Sequence, residues 1–344
     1  MNFLIGIPVM LTALIGIAIS TNISVFVLSM LLYRFGDHFA FSPFQALYSD
    51  YVPNPQRGMA AGVRSFLDIL ALLIGRFSAG ELLSRAPEMG DRAVLLAVLV
   101  PAIALILSLA ITIFGTRNLS LLAAGNKQKK NGAKQNIRDL FTVDWNKEQA
   151  FKWWFINRAL FWAAFTIVGT FLLFFIIDVV GLLESEAQSY LARLSLILGL
   201  AILLVSIPAG RLADRIGRKP LIVLACTLTA IGSLLMIGLR SLGALSIAGA
   251  FVGLGAGIFL SADFALLTEI VPRKEAGRYL GIANIASAGG GAVARLLGGL
   301  IIDPINKLSQ SASLGYLALY SLASLLFFLS IWAARRLPNS VSKP

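Results

Sequence analysis

The sequence holds one cysteine, Cys226, and one histidine, His38. A single cysteine excludes an intrachain disulfide, and its place within an apolar run makes it a packing residue rather than a reactive one. One histidine, itself inside an apolar stretch, is too little for a Cys/His metal site or a Ser-His-Asp set. No metal site and no catalytic residues are therefore expected. Charge is also scarce: 13% of residues are charged and 58% hydrophobic, with a mean hydropathy of +0.83. A soluble domain of 344 residues could not bury that much apolar surface. Acidic residues are the scarcer sign, 17 against 29 Lys and Arg, for a formal net charge of +12. Such an excess can mark a nucleic-acid binder. Here the basic residues lie between apolar runs long enough to cross a bilayer, so anionic lipid headgroups are expected as partner and nucleic acid is not. The opening Met1-Asn2-Phe3-Leu4 carries no Lys or Arg, so 3–20 is expected to be a retained span and not a signal peptide.

What is present is a series of apolar runs of about 20 residues, the length of a membrane-spanning helix. Ten are expected, near 3–20, 23–49, 58–80, 93–115, 152–178, 189–208, 220–239, 243–268, 279–301 and 312–334. Lys and Arg decide the orientation. With the N-terminus inside, the cytoplasmic stretches collect Arg57, seven basic residues from Arg117 to Lys147, four in 211–219, then Arg273, Lys274, Arg278, Arg335, Arg336 and Lys343. The outer loops hold only Arg85, Arg92, Arg240 and Lys307. Both termini are expected in the cytoplasm, in an inner or plasma membrane. The polar stretch 116–151, centred on Gly125-Asn126-Lys127-Gln128-Lys129-Lys130, reads as a basic linker between a four-helix bundle (1–115) and a six-helix bundle (152–344).

Between two of these runs lies Gly210-Arg211-Leu212-Ala213-Asp214-Arg215-Ile216-Gly217-Arg218-Lys219-Pro220. It is expected to be a tight turn between antiparallel helices, with Gly210 and Gly217 allowing close approach or positive φ. Asp214 is expected to face the dipole of the helix that follows. This ordered string resembles the signature loop of the major facilitator superfamily, the secondary transporters built from two six-helix halves. The resemblance implies an all-α polytopic membrane fold of two pseudo-symmetric bundles, working as a monomer. It also implies a small-molecule substrate bound near the midplane and moved by alternating access.

An internal repeat supports two related halves. Ala46-Leu47-Tyr48-Ser49-Asp50-Tyr51-Val52-Pro53 realigns without gaps on Ala265-Leu266-Leu267-Thr268-Glu269-Ile270-Val271-Pro272, an offset of 219 from Pro53 to Pro272. The same offset places Gly58 on Gly277, Gly62 on Gly281, Arg76 on Arg295 and Gly80 on Gly299. Carried backwards, it sets the counterpart of Asp214 just ahead of Met1. Relative to the superfamily plan, two helices and their loop are then expected to be missing from the N-terminus.

Gly36-Asp37, then Ser42-Pro43-Phe44-Gln45-Ala46-Leu47-Tyr48-Ser49-Asp50-Tyr51-Val52-Pro53 and Arg57-Gly58, looks like the pattern of sucrose and glycoside cation symporters. That resemblance implies cation-coupled sugar uptake, with H⁺ or Na⁺ as coupling ion. A proton-coupled exporter of drugs or metabolites is the alternative transporter, and a non-transporting remnant or membrane sensor the alternative of another class.

Ionisable groups inside a span cost about 2.5–3.5 kcal/mol each, so they face a wet cavity or a partner. Arg34, Asp37, His38 and Gln45 form one polar stripe on the second span. Asp37 is expected to be the ion site, with Arg34 setting its protonation and His38 either relaying a proton or bonded to a backbone carbonyl. Asp263 is a second candidate ion site. Trp162, Thr166 and Thr170 recur every four residues on the fifth span, as a sugar platform or as packing. Arg76 and Arg295 either attract an anion or bond carbonyls at helix ends. Arg64 and Asp68, one turn apart, are expected to form a gating or structural pair.

A cytoplasmic latch is expected from Gly210, Asp214, Arg215, Gly217 and Arg218, and from Glu269 with Arg273 and Arg278. Asp50 and Arg57 are its first-half counterpart, with Arg57 or Arg64 left short of a partner. The runs Gly253-Leu254-Gly255-Ala256-Gly257 and Gly289-Gly290-Gly291 lie within spans and are packing surfaces, not phosphate loops.

Overall fold

The computed structural model describes residues 3–84, 90–123, 143–238, 241–271, 275–311 and 313–337. Each expected run is helical: α1 Phe3–Ala18, α2 Ile23–Tyr51, α3 Arg57–Ser84, α4 Asp91–Ala123, α5 Gln149–Thr170, α6 Glu184–Ile216, α7 Arg218–Gly238, α8 Leu242–Ile270, α9 Ala276–Ser309 and α10 Leu314–Arg335. A 3₁₀ turn, Asn54–Gln56, leads into α3. Helices are what an apolar solvent demands, because they satisfy their backbone groups internally. Among the described residues, seven helices are long and apolar enough to cross a membrane by themselves. The bent pair Gln149–Thr170 and Leu172–Val180 makes an eighth, and Ile5–Ala18 is apolar but shorter.

The repeat reappears in the helix ends. α2 stops at Tyr51 and α8 at Ile270; α3 starts at Arg57 and α9 at Ala276. Both pairs are 219 positions apart, the offset found in the sequence.

Backbone contacts group the chain into two compact units, Met1–Asp50 with Ala71–Phe141, and Tyr51–Leu70 with Thr142–Pro344. The first part of α3 thus packs with the C-terminal helices, whereas the sequence division at 1–115, 116–151 and 152–344 follows chain order alone. In the first unit, α1 buries Ile7, Met10 and Leu14. Gly6 of α1 lies where a Cβ would meet Ala40 of α2 at 2.9 Å.

In the second unit α8 is the enclosed helix, buried along most of the stretch Val252–Thr268. Its glycines divide the work. A Cβ on Gly255 would run into Thr229 and the Ala225 carbonyl of α7, and one on Gly253 or Gly257 into α6 at Leu198 or Ile202. Small residues let the backbones close up, and that contact replaces the hydrophobic drive missing in lipid. α5 packs against α9 and α10. Phe161 of α5 stacks on Phe259 of α8 at 3.6 Å between ring centroids and meets Phe327 of α10 edge-on at 5.5 Å.

Two expectations are corrected. The fifth span, expected as one run over 152–178, is broken: it bends by 47° after Thr170, and Ile176–Val180 forms a π turn. Phe171, at the bend, has its ring in the space over Gly298 of α9. Nor does the tight turn expected over 210–220 take up that length. α6 continues to Ile216 and α7 starts at Arg218, leaving Gly217, at φ +94°, to make the corner alone. A left-handed φ of that size is open to glycine at little cost.

Candidate functional site

Two clusters of ionic groups join helices of the second unit. The first gathers at the start of α3. The first N–H groups of a helix have no intrahelical acceptor and carry the positive end of its dipole. The carboxylate of Asp214, in the last turn of α6, fills that position: Gly58 N–H donates to Oδ1 and Met59 N–H to Oδ2, each at 2.8 Å. Asp214 therefore caps α3, not the helix that follows it, because α6 continues past it and turns the side chain towards α3. Close approach makes this possible. A Cβ on Gly58 would collide with the Gly210 carbonyl and stand 2.6 Å from Asp214 Oδ1, and Gly62 faces Ser206 in the same way one turn on.

Arg218, at the start of α7, pairs with Asp214 at 3.5 Å and also with Glu269 at the end of α8. Arg57 is buried; its Nε donates to the Val52 carbonyl at 3.2 Å and its Nη1 to the Thr268 carbonyl. Arg57 is thus held by backbone oxygens where an acid partner was expected to be missing. Arg64 lies over the Phe264 ring at 4.3 Å and pairs with Asp68 at 3.5 Å. Arg278 does not join Glu269: it pairs with Glu275 at 2.8 Å, one turn away on its own chain segment. Arg215 is exposed, and Arg273 lies outside the described residues.

The second cluster is deeper. Asp263 of α8 is 1% exposed, and its Oδ2 accepts from Arg158 of α5. Arg158 Nε donates to Ser287 Oγ of α9 at 2.7 Å, and its guanidinium lies over the Trp154 ring at 5.2 Å. Trp154 Nε1 donates to the Asp263 backbone carbonyl at 3.3 Å. Among the described residues Asp263 Oδ1 has no hydrogen-bond partner. Next to Arg158, the buried Asn157 donates to the Ser330 carbonyl and Oγ, both at 2.8 Å, and lies 3.6 Å from Cys226 Sγ. Cys226 is therefore inside a polar knot between α5, α7 and α10.

Arg158, Trp154 and Ser287 were not singled out in the sequence. Arg158 could have been: it lies four residues before Trp162 and extends the stripe Trp162, Thr166, Thr170 by one turn. Opposite it on α9, Ser287, Gly291 and Arg295 recur at the same spacing. A Cβ on Gly291 would stand 3.2 Å from Thr166 Oγ1 and 3.8 Å from Arg295 Nη1, so these two side chains share one neighbourhood. Two rows at i, i+4, i+8 thus run side by side for about 12 Å. Trp162 Nε1 is buried with no partner among the described residues, and Thr170 is exposed.

In the first unit Arg34 and Asp37 approach to 3.8 Å, but both are open, 73% and 38% exposed. The side chains of His38, Gln45, Asp50 and Arg76 lie outside the described residues.

The second unit thus combines a bundle of apolar helices, a buried Arg–Asp pair and a carboxylate that closes a glycine contact at one end. The Major Facilitator Superfamily family model matches residues 185–344. The whole chain shares its fold: a solved proton:xylose symporter, XylE bound to 6-bromo-6-deoxy-D-glucose, superposes with a TM-score of 0.71 at 16% identity, over 98% of this chain and 80% of that one. An uncharacterised MFS-type transporter of Mycobacterium tuberculosis (strain ATCC 25618 / H37Rv) is 30% identical over 125 residues, 36% of this chain and 18% of that protein. The multidrug resistance protein MdtL of Shewanella oneidensis is 32% identical over 118 residues, 34% of this chain and 29% of that protein. The chain therefore spans under a third of the length of these two curated relatives. Those proteins are named as transporters, and this chain is, like them, a multi-pass membrane protein.

Proposed function

We propose that this chain carries out secondary active transport of a small polar solute, a sugar or glycoside, by cation-coupled symport with alternating access. The observation that carries the reading is the buried Arg158–Asp263 pair tied to Ser287. Two charges in the apolar interior are tolerated because they neutralise each other, and removing either charge strands the other. Protonating Asp263 is one way to remove it. Its unpartnered Oδ1 suits a single proton, whereas Na⁺ takes several oxygen ligands. Once Asp263 is neutral, Arg158 is released to a substrate oxygen, and proton and solute binding become linked. This moves the coupling role from the exposed Asp37 to Asp263.

Beside the pair, the free indole N–H of Trp162 and the Thr166 hydroxyl offer a donor and a donor–acceptor to sugar hydroxyls. The Asp214–Gly58 contact is the latch that holds one closed state. Its carboxylate must leave two N–H groups when the helices part.

The likeness to MdtL supports a second reading, a proton-coupled exporter, which the same pair would serve. Uptake of labelled sugars and glycosides into proteoliposomes under an imposed pH gradient separates these. Accumulation driven by an inward proton gradient supports symport, efflux of cationic drugs against it supports export, and binding without flux supports a sensor or remnant.

A further inference from the structure

The end of α10 carries an arrangement that the transport reading does not use. Trp153 of α5 and Trp332 of α10 meet edge-on, 5.1 Å between ring centroids. The Arg336 guanidinium lies over both rings, 5.4 Å from Trp153 and 5.0 Å from Trp332. Lys152 lies 5.9 Å from Trp153. Lys219 Nζ donates to the Leu337 carbonyl at 2.6 Å, which ties the α10 end to the start of α7. Among the described residues no carboxylate pairs with Lys152, Arg335 or Arg336, and the N–H edge of Arg336 makes no hydrogen bond.

We infer that this corner is a binding site for an anionic phospholipid. A cation stacked on an aromatic face keeps its in-plane donors pointing outward, in the geometry that grips phosphate. Below the cation, Leu325, Phe328, Leu329 and Trp332 form one exposed apolar stripe along α10 at i, i+3, i+4, i+7. That stripe is the surface an acyl chain covers, and tryptophan at its end is at home at headgroup depth. The occupant is thus amphiphilic, with the phosphate at Arg335, Arg336 and Lys152 and its tail along α10. A soluble anion would leave the stripe unused.

The test uses the full chain in phosphatidylcholine nanodiscs with a minor fraction of brominated lipid, read by tryptophan fluorescence. Brominated phosphatidylglycerol quenches more than brominated phosphatidylcholine at equal fraction; Trp332→Phe lowers the excess, and Trp153→Phe with Trp332→Phe removes it. Replacing Arg335 and Arg336 together by glutamine lowers the preference by about fivefold per charge. Replacing both by lysine keeps the charge but not the stacked fork, so the preference falls between the parent and the double glutamine variant, which separates charge from folding. Equal quenching by the two lipids, a preference unchanged in the double glutamine variant, or displacement by free glycerol 3-phosphate overturns the inference.

Discussion

Asp214 accepts the Gly58 backbone N–H at 2.8 Å, across 156 positions of sequence, and a Cβ at position 58 would stand 2.6 Å from the same carboxylate oxygen. The hydrogen bond and the absent side chain are one feature. Gly58→Ala should therefore push α3 off α6 and cost about 1–3 kcal/mol in the closed state. Thermal melts in detergent should show a lower midpoint, with accessibility of an engineered thiol near Met59 increased.

Asp214→Ala should cost about 0.5–2 kcal/mol, the worth of a charged helix cap. Asp214→Asn keeps one acceptor but loses the ion pair with Arg218, so its melting midpoint should fall between alanine and the parent. Equal midpoints for all three would show that the cap carries no stability.

The buried pair should show strong non-additivity. Arg158→Gln or Asp263→Asn alone leaves one buried charge unpaired, a loss of about 3–5 kcal/mol. The double variant should regain most of the folded fraction on size exclusion, and equal losses in all three would show that the two residues are not coupled.

Much of this arrangement was readable from residue order. Helix positions follow from the apolar runs, and the repeat from Pro53 to Pro272 anticipates helix ends 219 apart. The glycines of α8 read as packing and are packing. Partners were harder, because they depend on which helices meet. Asp214 was assigned a helix terminus but not the right one, since a carboxylate at the end of α6 has two helix starts within reach. Glu269 was joined to Arg278, yet Arg278 has a nearer acid in Glu275 and Arg218 already reaches Glu269. Arg158 obeyed the rule that flagged Asp263 and lay on a stripe already drawn. The bend after Thr170 had no proline to announce it.

Trp162→Phe keeps the ring and removes its N–H. For a sugar that accepts from the indole, the apparent affinity should fall by about fivefold to tenfold, the value of one hydrogen bond. Competition binding with a series of deoxy-sugars checks this: the analogue lacking the hydroxyl concerned should bind parent and variant alike.

The central claim is that Asp263 carries the coupling proton, and proton movement during uptake measures it directly. Proteoliposomes containing the parent chain should alkalinise a weakly buffered medium when substrate is added. With Asp263→Asn the alkalinisation should vanish, while the fraction of the variant that folds continues to exchange labelled for unlabelled substrate across the membrane. Substrate-driven alkalinisation of unchanged size in Asp263→Asn would contradict the account.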